Sequence, residues 1–158
     1  MPPIDKKNDK NYNDRMKFVS LNSEKTEEIL KMQEPMDLER LRRIKEGLAR
    51  QDIVVEQSDE WDRYLVSKGA EALTFSDRSI VMHTKVSASG CFEELIHYGQ
   101  IKSGRAIDVN AESNNNVLME IEAKERLIKY KDSYGITDYE VDILTDSLNW
   151  YKILLDNK

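Results

Sequence analysis

Only residues 52–86 of this chain carry the pattern of a β-sheet, and helix-period sequence precedes and follows them. That order restricts the fold to a small sheet covered by helices. Asp52-Ile53-Val54-Val55-Glu56 reads as a short buried strand, and Ser58-Asp59-Glu60-Trp61-Asp62 as a helix start. Residues 70–75 and 79–86 read as two further strands joined at Ser76-Asp77-Arg78. Upstream, residues 23–33 predict a helix with Ile29, Leu30 and Met32 as its apolar positions, interrupted by Pro35. Residues 37–50 predict a second, because Leu38, Leu41, Ile44 and Leu48 recur at spacings of three and four. Downstream, Ser87 or Ser89 can cap a helix running to about Gln100. A polar loop to Asn116 follows, then a long helix over 117–133 that Gly135 breaks. Thr137-Asp138-Tyr139-Glu140 is a capping box that starts a last helix to about Leu155. The expected fold is α+β and mostly helical: about three strands, then a motif helix and two C-terminal helices.

Residues 1–20, rich in Lys, Asn and Asp, read as a mobile or loosely docked polar arm. Residues 21–50 form the N-terminal helices and residues 51–158 the main domain. With 158 residues, one domain with a sizeable core is expected. A net charge of -6 argues against nucleic acid as the main partner, since phosphate binding needs a basic surface. No apolar run approaches a membrane span and no secretory signal is visible, so a cytoplasmic location is expected. The single cysteine, Cys91, excludes an internal disulfide framework. It sits near a helix start, but no His partner is visible, so a buried inert thiol is expected.

The chemistry concentrates in Glu93-Glu94-Leu95-Ile96-His97. Side chains four apart on a helix lie one turn apart on one face, so residues 93 and 97 can reach one point. Residue 94 is rotated by about 100° from residue 93 and flanks that point. The segment is one residue away from His-Glu-x-x-His, in which the paired positions hold zinc and the Glu acts as general base. Here Glu93 replaces the first His. A third ligand has to come from elsewhere, and the best candidate lies on the helix after the loop, in Glu120-Ile121-Glu122-Ala123.

The pair Glu93-Glu94-Leu95-Ile96-His97 and Glu120-Ile121-Glu122-Ala123 resembles the gluzincin branch of zinc metallopeptidases, over about residues 52–132. It also resembles, more faintly, domains found in phage minor head proteins and polymorphic toxins. The resemblance implies a zincin-like domain, with zinc or another divalent metal held by Glu93, His97 and Glu120. Glu122 is the fallback ligand, and Glu94 activates water for amide hydrolysis of a protein or peptide. The departure at Glu93 matters physically. Glu-His-Glu around Zn²⁺ leaves a net charge near zero, so the ion acidifies water less, and the added oxygen ligand shifts preference towards harder ions such as Mn²⁺. A working site with altered metal, a purely structural metal, and an empty site stay open. In the last, the acids bind other groups such as a nearby Lys or Arg, and the fold serves as a protein-binding or structural module.

Other residues rank lower. Glu94-x-x-His97 matches a di-iron half-site, but His83 has Ile80 three residues before it, so no second copy exists. His83, in a predicted strand, is expected as a sheet residue able to line the cleft. Tyr98, Tyr130 or Tyr134 could polarise a carbonyl. Lys102, Arg105 and Lys124 read as surface charges, with Arg105 able to reach the cleft.

Overall fold

The computed structural model describes residues 23–76, 78–110 and 112–157. The predicted polar arm over 1–20 lies outside them. The chain runs α1 (Ser23–Met32), α2 (Leu38–Ala49), β1 (Val54–Glu56), α3 (Asp59–Ser67), β2 (Ala72–Ser76), β3 (Ser79–Met82), α4 (Ala88–Lys102), α5 (Asn114–Lys129), α6 (Lys131–Tyr134) and α7 (Asp138–Asp156). The fold is mostly helical around one three-stranded mixed sheet of order β1-β3-β2. β1 pairs parallel with β3, and β2 pairs antiparallel with it, with a register shift between Thr74 and Ser76.

The sheet separates two apolar layers. Successive strand residues point to opposite faces. Leu73, Phe75 and Val81 pack with Trp61 and Leu65 of α3 on one side. Ala72, Ile80 and Met82 pack with Cys91 of α4 and Leu41 of α2 on the other. α4 is therefore sandwiched. Its second side, Ala88, Phe92 and Ile96, meets Leu127 of α5 and Leu144 of α7. A last cluster, Val117, Ile121, Leu148 and Tyr151, joins α5 to α7. No helix of the described residues is long and apolar enough to cross a membrane.

The helix ends are built as their sequences dictate. Asp37, Ser58, Ser87, Ser113 and Thr137 each accept a backbone N–H of their helix's first turn. Gly135 adopts φ 71°, the left-handed conformation that favours glycine, just after α6. Several boundaries differ from expectation: the strand expected over 79–86 ends at Met82, and that expected over 70–75 begins at Ala72. The helix expected over 117–133 begins at Asn114 and divides at Tyr130, giving α5 and α6. The early start follows from Ser113 acting as cap. It leaves Asn116 on the helix, where it clasps the preceding loop. Its side chain accepts from Asp108 N at 3.0 Å and donates to the carbonyls of Asp108 and Asn110 at 2.9 and 3.0 Å.

Candidate functional site

The two helices α4 and α5 bring the predicted groups to one place. α4 supplies Glu93, Glu94 and His97; α5 supplies Glu120 and, one turn on, Lys124. One ligand-capable atom from each of Glu93, His97 and Glu120 lies within 4.8 Å of the others. His97 Nε2 is 3.3 Å from Glu120 Oε1 and 3.8 Å from Glu93 Oε1. Glu120 and His97 are buried and Glu93 is half-buried. As a set of donors, these three could hold a metal ion.

The imidazole is held from behind. Gln100 Nε2 donates to the Met119 carbonyl at 3.1 Å and to Glu122 Oε2 at 3.3 Å, so its Oε1 is left to accept from His97 Nδ1 at 2.8 Å. A proton on Nδ1 turns Nε2 towards the two acids, the orienting contact that ligand histidines commonly use.

Lys124 changes what this cluster is. It was expected at the surface, but its side chain is only 1% exposed. Its Nζ donates to Glu93 Oε1 at 2.5 Å and to Glu120 Oε2 at 2.8 Å. The Tyr151 ring centroid lies 5.1 Å from the same nitrogen. The correction has a simple cause. Lys124 is four residues after Glu120 and shares its face, so packing α5 against α4 buries both together. Burial alone would push the ammonium's pKa down, but the two carboxylates outweigh it and hold the pKa above its ordinary value. Burial pushes the Glu93 carboxyl up, and the Lys124 charge with the His97 hydrogen bond outweighs that, leaving it below the ordinary carboxylate range.

The donor set therefore does not fit a divalent ion while Lys124 stays in place. An ion at bonding distance, about 2.0–2.2 Å from each donor, would crowd an ammonium held by the same two carboxylates. At roughly 4 Å and an effective dielectric near 20, a double and a single positive charge repel by about 8 kcal/mol. Lys124 has to leave before a metal can enter.

Around the cluster lies a cavity of about 470 Å³, within the size range of small-molecule sites. Glu93, Glu94, His97, Glu120 and Lys124 line it, with Glu71 and Glu140 from other elements and Trp150 of α7. Glu94 is buried and accepts from Thr74 Oγ1 of β2 at 2.6 Å. Glu71, just before β2, accepts from Ser87 N at 2.9 Å and Gln33 Nε2 at 2.6 Å. Burial pushes its carboxyl up to about 7 against these hydrogen bonds, with a further rise from Glu140 nearby.

Four expected site residues lie elsewhere. Glu122, the fallback ligand, is exposed and pairs with Arg105 outside the cavity. His83 is buried beside Asp62, 3.7 Å away, and accepts from Lys85 N. Tyr98 packs against the core between α4 and the sheet, and neither it, His83 nor Arg105 lines the cavity. Cys91 is fully buried, and burial pushes its thiol up to about 12, so it is inert. Glu71, Gln100, Thr74 and Lys124 were missed. The i+3 and i+4 spacings from His97 and Glu120 could have found Gln100 and Lys124. Glu71 and Thr74 reach the site only through tertiary packing. Comparison with known protein families, with curated proteins and with solved structures finds no match for this chain.

Proposed function

We propose that this chain is a catalytically inactive, zincin-like domain that acts as a binding module for a protein or peptide, with an internal ammonium in the place where a peptidase carries its metal. The observation that carries the reading is the Lys124 Nζ between Glu93 and Glu120, at 2.5 and 2.8 Å. Two carboxylates facing each other inside a protein need a counter-charge. Glu93 supplies the acid at the position where the peptidase motif has a neutral imidazole, and Lys124 supplies the matching cation. The two departures compensate each other in charge, so the fold keeps its packing without an ion. Glu94, hydrogen-bonded to Thr74, then serves the architecture and the cavity wall instead of water activation.

A second reading rests on the convergence of three donors within 4.8 Å beside a cavity. On it, Lys124 withdraws, a divalent ion such as zinc binds at Glu93, His97 and Glu120, and the domain is a metal-dependent peptidase. Calorimetric titration of the full chain with Zn²⁺ and with Mn²⁺ separates the two. No saturable binding is expected. Stoichiometric binding that His97→Ala abolishes would overturn the first reading in favour of the second.

A further inference from the structure

Two acids meet the start of α4 through a pair of serines. Glu71, half-buried just before β2, stands at one end, and Glu140, buried in α7, at the other. Glu71 Oε2 lies 3.2 Å from Ser87 Oγ, Ser87 Oγ lies 3.1 Å from Ser89 Oγ, and Ser89 Oγ lies 2.8 Å from Glu140 Oε1. The three contacts form one unbroken run, and each needs a hydrogen. A serine hydroxyl carries one hydrogen and an ionised carboxylate carries none. With both acids ionised, the run holds two hydrogens for three contacts. Each serine then turns to its own acid, and two hydroxyl oxygens face each other with no hydrogen between them.

The neighbours show where a third hydrogen fits. Glu140 Oε1 also accepts from Ser89 N at 3.0 Å, and its Oε2 accepts from Thr137 N and Thr137 Oγ1. A proton on either oxygen would displace a donor. Glu71 Oε1 is likewise taken, by Ser87 N and Gln33 Nε2, but its Oε2 meets only the Ser87 hydroxyl. Ser87 Oγ accepts from Gly90 N at 3.0 Å and keeps a second lone pair for Glu71.

We propose that the folded chain holds one proton on Glu71 Oε2, completing a one-way run of hydrogen bonds from Glu71 through Ser87 and Ser89 to Glu140, and that loss of this proton as pH rises reverses Ser87 and opens the run between the two serines. The upward shift of the Glu71 carboxyl, to about 7, agrees with that placement. When the proton leaves to solvent, Ser87 turns its hydrogen to Glu71, and Ser89 keeps its own on Glu140. The start of α4 then holds the two acids separately instead of joining them. Glu71 lines the cavity, so the wall gains one negative charge near neutral pH. The proton count stands whether or not that cavity binds a ligand.

The other charged and titratable groups around Glu71 lie off this run. Lys25 of α1, Glu93, Glu94 and His97 of α4, and Asp146 of α7 line the same cavity, as do Glu120 and Lys124 of α5. Lys124 is held by Glu93 and Glu120. Cys91 of α4 is close enough for Glu71 to raise its thiol further, beyond the effect of burial. His83, just after β3, donates its backbone N–H to the Glu71 carbonyl at 2.7 Å, while its ring accepts from Lys85 N.

Carbon NMR of the full chain, labelled at its glutamate carboxyls, reads the proton directly. The Glu71 signal is the one lost in Glu71→Gln, and its titration midpoint is expected near 7. Ser89→Ala leaves Ser87 with no onward acceptor, so the Ser87 hydrogen turns to Glu71 and favours the carboxylate. The midpoint should then fall by about one unit. Ser89→Thr keeps the hydroxyl and should keep the native midpoint. A carboxyl raised by burial alone would hold its midpoint in both variants. A midpoint that Ser89→Ala leaves in place therefore overturns the run, as does a native Glu71 that titrates in the ordinary carboxylate range. The unsubstituted chain gives a second readout, which decides the matter if Ser89→Ala does not fold. Gly90 N–H donates to Ser87 Oγ, so its amide signal should move with the same midpoint as Glu71 when Ser87 reverses. An amide signal that stays flat across the Glu71 titration overturns the reversal. No metal or ligand enters these measurements, so their outcome is separate from that of the calorimetric titration above.

Discussion

Lys124 is the residue on which the site turns. Removing one partner of a buried charge cluster leaves the others uncompensated, at about 3–5 kcal/mol. Lys124→Met keeps the length of the side chain and removes the charge. It should lower the unfolding free energy by about that amount in urea titration, because Glu93 and Glu120 then face each other without a cation. Adding Glu93→Gln removes one of the two charges, and the double variant should recover at least half of the loss. If the double variant is as unstable as Lys124→Met alone, the cost comes from lost packing and the electrostatic account fails. At this scale the sequence was partly legible. Glu93 and His97 were readable as a converging pair because helix spacing is a fixed geometry, whereas Glu120, on another helix, was assigned to the set only through the resemblance. Lys124 was not read with them, because a lysine on a charge-rich helix reads as solvated until the partner helix is known.

At the scale of elements, Glu140 does two jobs. One carboxylate oxygen completes the α7 capping box, accepting from Thr137 N at 2.8 Å and Thr137 Oγ1 at 2.9 Å. The other accepts from Ser89 N at 3.0 Å and Ser89 Oγ at 2.8 Å in the first turn of α4. The capping box was visible in Thr137-Asp138-Tyr139-Glu140, since it is a local pattern. The tie to Ser89 joins residues 51 positions apart, and no local pattern encodes it. The division can be measured. Thr137→Ala removes only the cap and should cost about 1 kcal/mol. Glu140→Ala removes the cap and two charge-assisted hydrogen bonds, and should cost about 3 kcal/mol. Denaturant unfolding followed by circular dichroism gives both values. Equal losses would mean that the α4–α7 tie contributes nothing. The three strands and the main helices were legible for the same reason as the capping box: their apolar positions repeat with period two or about 3.6. Helix boundaries near Asn114 and Tyr130 were not, because a serine cap and a packed turn set them.

Across the whole molecule, the half-buried acids Glu71 and Glu93 give stability a pH dependence whose sign follows from their shifts. Glu71 has its carboxyl raised from 4.5 to about 7 in the folded chain. Its stabilising contribution is complete below its unfolded value, where both states are protonated. As pH rises towards 7, the folded state keeps a proton that the unfolded state has lost, and each unit removes about 1.4 kcal/mol. Above about 7 the loss levels off, at roughly 3 kcal/mol as an upper figure. Glu93 acts at the other end. Its carboxyl is lowered from 4.5, so its contribution is present above that value and is lost as pH falls through the folded one. His83, held below its ordinary 6.5 chiefly by burial, opposes Glu71 within the same window, since its charged form is the disfavoured one. A single stability curve therefore mixes opposite slopes. The difference between the native chain and Glu71→Gln does not, because glutamine keeps an oxygen to accept from Ser87 N and cannot titrate. Urea unfolding at half-unit steps from pH 5 to 8 should show the native chain losing about 2–3 kcal/mol relative to Glu71→Gln over that range. Parallel curves for the two proteins would mean that Glu71 is ionised throughout in the folded chain, with Ser87 and Gln33 fully offsetting its burial.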